Sequence, residues 1–223
     1  TGEDTLSLHD ALPISMKERP ILFSTEMVKA ILDGRKTQTR RVIKNPTNIK
    51  EFFFIDEKDD YPFYYRTSNG LWDSFKTIAD LTAKRCPYGK IGDRLWVRET
   101  WTHYDIWTMG KEGYGKILYK ASDELGVYKR WHPSIHMPRT ASRITLEITN
   151  IRFERIQDIS EEDAIAEGVY PVNPSHELWK YRVSDEITGK TAKECYEKLW
   201  IQINGADSWN RNDWVWVVEF PKL

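Results

Sequence analysis

The sequence predicts an α+β fold, a small mixed β domain with short helices and inserted β-hairpins, and three observations lead there. Arg94 to Trp101 alternates apolar and polar side chains as a half-buried strand does. Three short stretches carry helix punctuation at both ends, beginning at Ser24, Ser160 and Thr191 and closing at Gly34, Gly168 and Gly205. Asn69-Gly70, set between aromatic runs, is a two-residue hairpin signal.

Residues 1–15 read as a non-native or disordered leader: they are acidic and lack the basic start of a secretory signal. Met16 reads as the natural first residue, and dropping Glu3, Asp4 and Asp10 turns the formal net charge of −1 into +2. Residues 16–223 then form one domain with insertions at about 45–85, 102–137 and 170–190.

The first helix is nucleated at Ser24, with Glu26 in the turn where the helix dipole favours a carboxylate. Met27, Val28, Ile31 and Leu32 form its apolar stripe. Past Gly34 comes Arg35-Lys36-Thr37-Gln38-Thr39-Arg40-Arg41, a cationic, hydroxyl-bearing segment leading into a strand over 37–43. A lysine and a threonine here supply a base and a nucleophile, and Arg40 and Arg41 can hold a polar or anionic ligand. Period two puts Thr37, Thr39 and Arg41 on one face, so Lys36 meets Thr39 only if it lies in the turn before the strand or at a bulge.

The run from Asn45 to Arg85 reads as an inserted β-meander. In Arg94 to Trp101, Leu95, Val97, Glu99 and Trp101 share one face and Trp96, Arg98 and Thr100 the other. A glutamate on an otherwise apolar face needs a partner such as an arginine, or else is pushed toward its neutral form. The second insertion carries strands near Ile117 to Ala121 and Val127 to Trp131. His132 and His136 stand four apart, but Pro133 follows the first and no third ligand is apparent, so no metal site and no cofactor are predicted. Arg139-Thr140-Ala141-Ser142-Arg143 offers two arginines and two hydroxyls before a strand from Ile144 to Ile148. The apolar parity then shifts to Ile151 and Phe153, which predicts a bend near Asn150, as in a barrel wall.

Ser160 caps a helix whose acidic residues at 161–163 suit the positive end of the dipole. Glu167 breaks the rule: a carboxylate in the last turn meets the negative end, at a cost of up to about 1 kcal/mol. Placement against a local rule points to function, and Glu167 is therefore a candidate. Tyr170 to Gly189 reads as a loop or a third insertion. The helix after Thr191 has Cys195, Leu199, Trp200 and Ile203 on its apolar face, and Trp214 to Phe220 reads as a central strand.

Composition excludes several classes. Ten tryptophans and eleven tyrosines argue against disorder, and the near-neutral balance argues against a protein that coats nucleic acid nonspecifically. Two distant cysteines fit a reducing cytoplasm, and no apolar run is long enough for a membrane span.

Four segments together resemble the ASCH family: Ile31 to Arg41, Lys90 to Val97, Ser160 to Gly168 and the Trp214 to Phe220 strand. The similarity covers about half of the chain and is closest to larger members of phage and prophage type. It implies a small PUA-like mixed β-barrel and an RNA- or nucleoside-binding cleft. Small bacterial members that resemble this chain around Lys36 hydrolyse the acetyl amide of N4-acetylcytidine. By that resemblance Lys36, Thr39 and Glu167 are the catalytic set. Arg40, Arg41, Arg98, Arg139 and Arg143 are the candidate substrate or RNA contacts. The implied partner is a modified nucleoside or RNA, and no membrane. Two other readings stay open, a non-catalytic RNA-binding module and a ribonuclease.

Overall fold

The computed structural model describes residues 16–43, 49–54, 63–67, 72–75, 86–104, 107–108, 111–112, 116–123, 130–172 and 181–223. The chain begins with β1 (Glu18–Leu22), α1 (Thr25–Leu32) and β2 (Gln38–Val42). Next come β3 (Ile49–Phe54), β4 (Phe63–Thr67) and β5 (Trp72–Phe75). They are followed by β6 (Arg94–Arg98), β7 (Trp101–Tyr104), β8 (Trp107–Thr108), β9 (Lys111–Glu112) and β10 (Lys116–Tyr119). β11 (Thr145–Glu147), β12 (Asn150–Arg155) and α2 (Glu161–Ala166) lead to β13 (Tyr170–Pro171), β14 (Tyr181–Arg182) and β15 (Thr188–Gly189). α3 (Ala192–Asn204) and β16 (Trp214–Glu219) complete the chain.

The fold is mixed α+β. Among the described residues three α-helices start where side-chain oxygens take up free helix amides: Ser24 accepts from Met27 N, Ser160 from Asp163 N and Thr191 from Glu194 N. Among the described residues the strands form separate two- and three-stranded sheets, and none closes into a barrel. Two sheets carry the core. In one, β6 lies between β1, parallel to it, and β11, antiparallel. In the other, β16 lies between β12 and β2, antiparallel to both. A lone bridge from Leu146 to Lys222 links the two sheets.

β16 is apolar on both faces because each face meets a different cluster. Trp216, Val218 and Phe220 join Phe23, Val28, Ile31, Leu95 and Leu146, whereas Val215 and Val217 join Ala164, Tyr196, Leu199 and Trp200. The bend expected at Asn150 is where the chain leaves the first sheet at β11 and enters the second at β12.

The structure departs from the sequence reading in three places. The strand expected over 94–101 is divided, because after Arg98 the chain leaves β11 and pairs through β7 with β10 and His132. The stretch expected to be a loop after Tyr170 forms a small sheet, β13–β14–β15. The inward stripe of α3 is Ala192, Cys195, Tyr196, Leu199 and Trp200, and Ile203 is exposed because it lies a turn beyond the packed cluster. The meander expected from 45 to 85 is present as β3–β4–β5, with Asn69-Gly70 outside the described residues. The leader 1–15 and most of the strand expected over Val127 to Trp131 also lie outside them.

Glu99 has the partner its apolar face called for. Arg143 grips both of its carboxylate oxygens at 2.9 Å and stacks on the Tyr119 ring at 4.0 Å. Glu99 is buried and Arg143 is about a quarter exposed. Removing the two ends is therefore not equivalent, since Arg143 can turn to water and Glu99 cannot. Arg143→Ala is expected to cost about 3 kcal/mol in chemical denaturation, more than Glu99→Gln. Equal costs would show that the pair acts only by packing.

Candidate functional site

The site is assembled where the chain leaves α1. Asp33 ends that helix and Gly34 takes a positive φ, after which Arg35 N and Lys36 N both donate to Ala30 O. This reversal lays Lys36 against the end of α2, where it forms an isolated antiparallel bridge with Glu167, and Thr37 N donates to Ala166 O at 2.9 Å. Gly168 allows the close approach. It sits at φ +106°, and a Cβ there would stand 3.0 Å from Ala30 Cβ and 3.5 Å from Lys36 Cβ.

Lys36 lies in the turn before β2, as a meeting with the strand's face requires. Its Nζ donates to Glu167 Oε2 at 2.6 Å and to Glu167 O at 2.9 Å. Lys36 is 2% and Glu167 3% exposed. Burial pushes the Lys36 ammonium below the ordinary lysine range; Glu167 opposes that shift, and Arg41 and Arg40 add to it. The ammonium also stands over the Phe23 ring, 5.7 Å from its centre, and the Arg41 guanidinium lies 5.2 Å from the same ring centre.

Thr39 lies one strand pair away. It is opposite Val218 in the β2–β16 register, so it shares the face of Val218 and looks toward the cluster containing Phe23. Lys36 and Thr39 thus adjoin the same cluster, but no hydrogen bond joins Thr39 to Lys36 or Glu167 among the described residues.

Arg40 points the other way, with Val217, toward α2 and α3. Its side chain is wholly buried and committed to carboxylates: Asp163 at 2.6 Å, Glu154 at 3.0 Å and Glu167 at 3.5 Å. It is a wall of the site and not an open ligand contact. Burial opposes its charge, but Glu167 and Asp163 hold its pKa above the ordinary arginine value. Tyr196 of α3 closes this side; burial first, and then the Glu167 charge, push its hydroxyl well above the usual tyrosine range.

The chain was also compared with known proteins. No protein family matches it, and no curated protein or solved structure is similar to it.

The remaining expected contacts lie on other surfaces. Arg41 is the exception, reaching Leu22 O at 2.6 Å beside the shared Phe23 ring. Arg98 donates to Ile135 O and stacks on Trp96. Arg139 pairs with Glu18 at 2.9 Å and approaches the same indole. Arg143 is taken up by Glu99. Among the described residues no cluster of His, Cys, Asp or Glu could hold a metal ion, and no helix is long and apolar enough to cross a membrane. Both cysteines are free and buried.

Sequence reasoning missed Phe23, Asp163, Arg152 and Tyr196. Asp163 read as a dipole residue, and Tyr196 lies off the stripe expected for its helix. Both had a sufficient local explanation. Glu167 alone gave a signal, by its placement against the helix dipole, and the structure pairs it with Lys36.

Proposed function

We propose that the chain is a hydrolase of an N-acylated nucleoside such as N4-acetylcytidine, built as an ASCH-type domain on a PUA-like plan. One observation carries the reading: a lysine without water contact, acidified by burial, holds a carboxylate at 2.6 Å, and a buried threonine three residues on faces the same apolar cluster. A desolvated lysine is a base at moderate pH, which an exposed one is not.

In the proposed reaction neutral Lys36 accepts the Thr39 hydroxyl proton as Oγ bonds the acyl carbon. Arg41, beside the same Phe23 ring, offsets the charge of the tetrahedral oxyanion, a contribution of about 2.7–4 kcal/mol in comparable sites. The proton passes through Glu167 to the exocyclic nitrogen as the carbon–nitrogen bond breaks. Water, deprotonated by Lys36, then hydrolyses the acyl ester, releasing acetate and regenerating Thr39. The reaction requires the side chains over the buried pair to part for the substrate. A reducing cytoplasm is the compartment this reading implies.

The test is acetate and cytidine release from N4-acetylcytidine by the chain from Met16 onward. Release above a protein-free control is expected, and none would sink the reading. A second reading, an RNA-binding module without chemistry, is favoured by one observation: the pair is closed to solvent, whereas Trp96 lies beside Arg98 and Arg139 on the outer face of the β1–β6–β11 sheet. Salt-sensitive RNA binding without acetate release would select it. Metal-independent RNA cleavage would instead indicate a ribonuclease.

A further inference from the structure

The Lys36–Glu167 pair is the inner end of a longer charge network. Arg40 shares Glu167 with Lys36, approaching Oε1 with Nη1 while Lys36 holds Oε2. The other amino group of Arg40 is held at 2.6 Å by Asp163. Asp163 is in turn gripped by Arg152, whose Nη2 lies 2.9 and 3.0 Å from its two oxygens. Gln38 Nε2 secures the same residue, donating to Asp163 O at 2.8 Å and to its carboxylate at 3.1 Å. Arg152 also contacts Glu154 and Glu219.

We propose that Asp163 is a positioning residue of this site: clamped by Gln38, Arg40 and Arg152, it fixes the Arg40 guanidinium so that Glu167 is shared between Arg40 and Lys36. The proposal rests on the reading that Lys36–Glu167 is the reactive pair.

Geometry sets the direction of the effect. Arg40 has three carboxylates around it, on α2 (Asp163, Glu167) and β12 (Glu154). Lys36 faces Glu167, Arg40 and Arg41, and Tyr196 borders Glu167 and Arg40 from α3. Burial alone would raise the Asp163 pKa, but Arg40 and Arg152 more than offset this and keep it below the ordinary carboxylate range. Asp163 is therefore a permanent negative charge at neutral pH. Without it, the buried Arg40 keeps Glu154 but draws onto Glu167, competing with Lys36 for the same carboxylate and leaving more positive charge beside the ammonium. Lys36 then loses its proton at lower pH.

The experiment follows Lys36 directly, by NMR titration of protein labelled with 13C at lysine Cε, the Lys36 signal being the one absent from Lys36→Met. In Asp163→Asn the Lys36 midpoint is expected to fall. With N4-acetylcytidine, kcat is expected to drop roughly 10- to 100-fold with KM within about twofold, because orientation and not substrate contact is lost. Arg152→Met should act in the opposite sense: Asp163 turns wholly to Arg40, offsets its charge, and the Lys36 midpoint rises. That variant removes a partly exposed side chain and carries the test if Asp163→Asn does not fold. An unmoved midpoint, or shifts of reversed sign, overturns the proposal. If the wild-type chain releases no acetate, the reactive-pair reading falls, and the lysine titration still decides whether Asp163 positions Arg40.

Discussion

Lys36→Met is expected to lower hydrolysis of N4-acetylcytidine by about 10²- to 10⁴-fold, the range over which a positioned general base contributes. Methionine matches the four-atom stem of lysine without the amine, so the loss isolates the amine. Stability should change little, because Glu167 keeps the Arg40 guanidinium within 3.5 Å after the ammonium is gone. Steady-state kinetics with thermal unfolding of the same preparation reads both quantities. A variant as fast as the wild type would make Lys36 a structural cation.

Glu167→Ala is expected to fail in the other way. The Lys36 ammonium then has Glu167's backbone oxygen as its remaining hydrogen-bond acceptor and no carboxylate, in a place without water contact. Breaking a buried pair from this side costs about 3–5 kcal/mol. The pH dependence follows from the direction of the Lys36 shift. Its pKa is lower in the fold than in the unfolded chain, the reverse of the usual paired lysine. Between those two values the unfolded chain binds more protons, so stability rises with pH up to the ordinary lysine range. Loss of Glu167 removes the charge that opposes the depression, so in the variant this rise starts at lower pH. Denaturant midpoints across neutral to moderately alkaline pH test this. A variant whose stability falls over that interval would show that Lys36 is not held in the depressed state.

The helices were legible because their signals are local: Ser24, Ser160 and Thr191 each satisfy an amide three residues on, and the glycines that follow free the chain to turn. The need for an arginine at Glu99 was legible from one misplaced charge on an apolar face, though not which arginine, since Arg143 comes from 44 residues away. Strand pairing was not legible. The central place of β16 was legible from its two apolar faces, but its partners and the parallel pairing of β1 with β6 depend on long-range closure, and nothing within these strands states them. Of the candidate residues, Lys36 stood out by its spacing from Thr39 and Glu167 by breaking a local rule, and the structure pairs the two. Asp163 was hidden because an acidic residue in a first helical turn satisfies one.

Lys36 and Glu167 are 131 residues apart in the chain. Closing so long a loop costs entropy that a single hydrogen-bonded contact does not repay, and a lysine does not enter an apolar interior ahead of its carboxylate. The pair therefore forms late in folding, once β2, β16 and α2 have come together. A partly synthesised or partly unfolded chain holds a solvated lysine of ordinary basicity, so the acidified amine exists only in the finished fold.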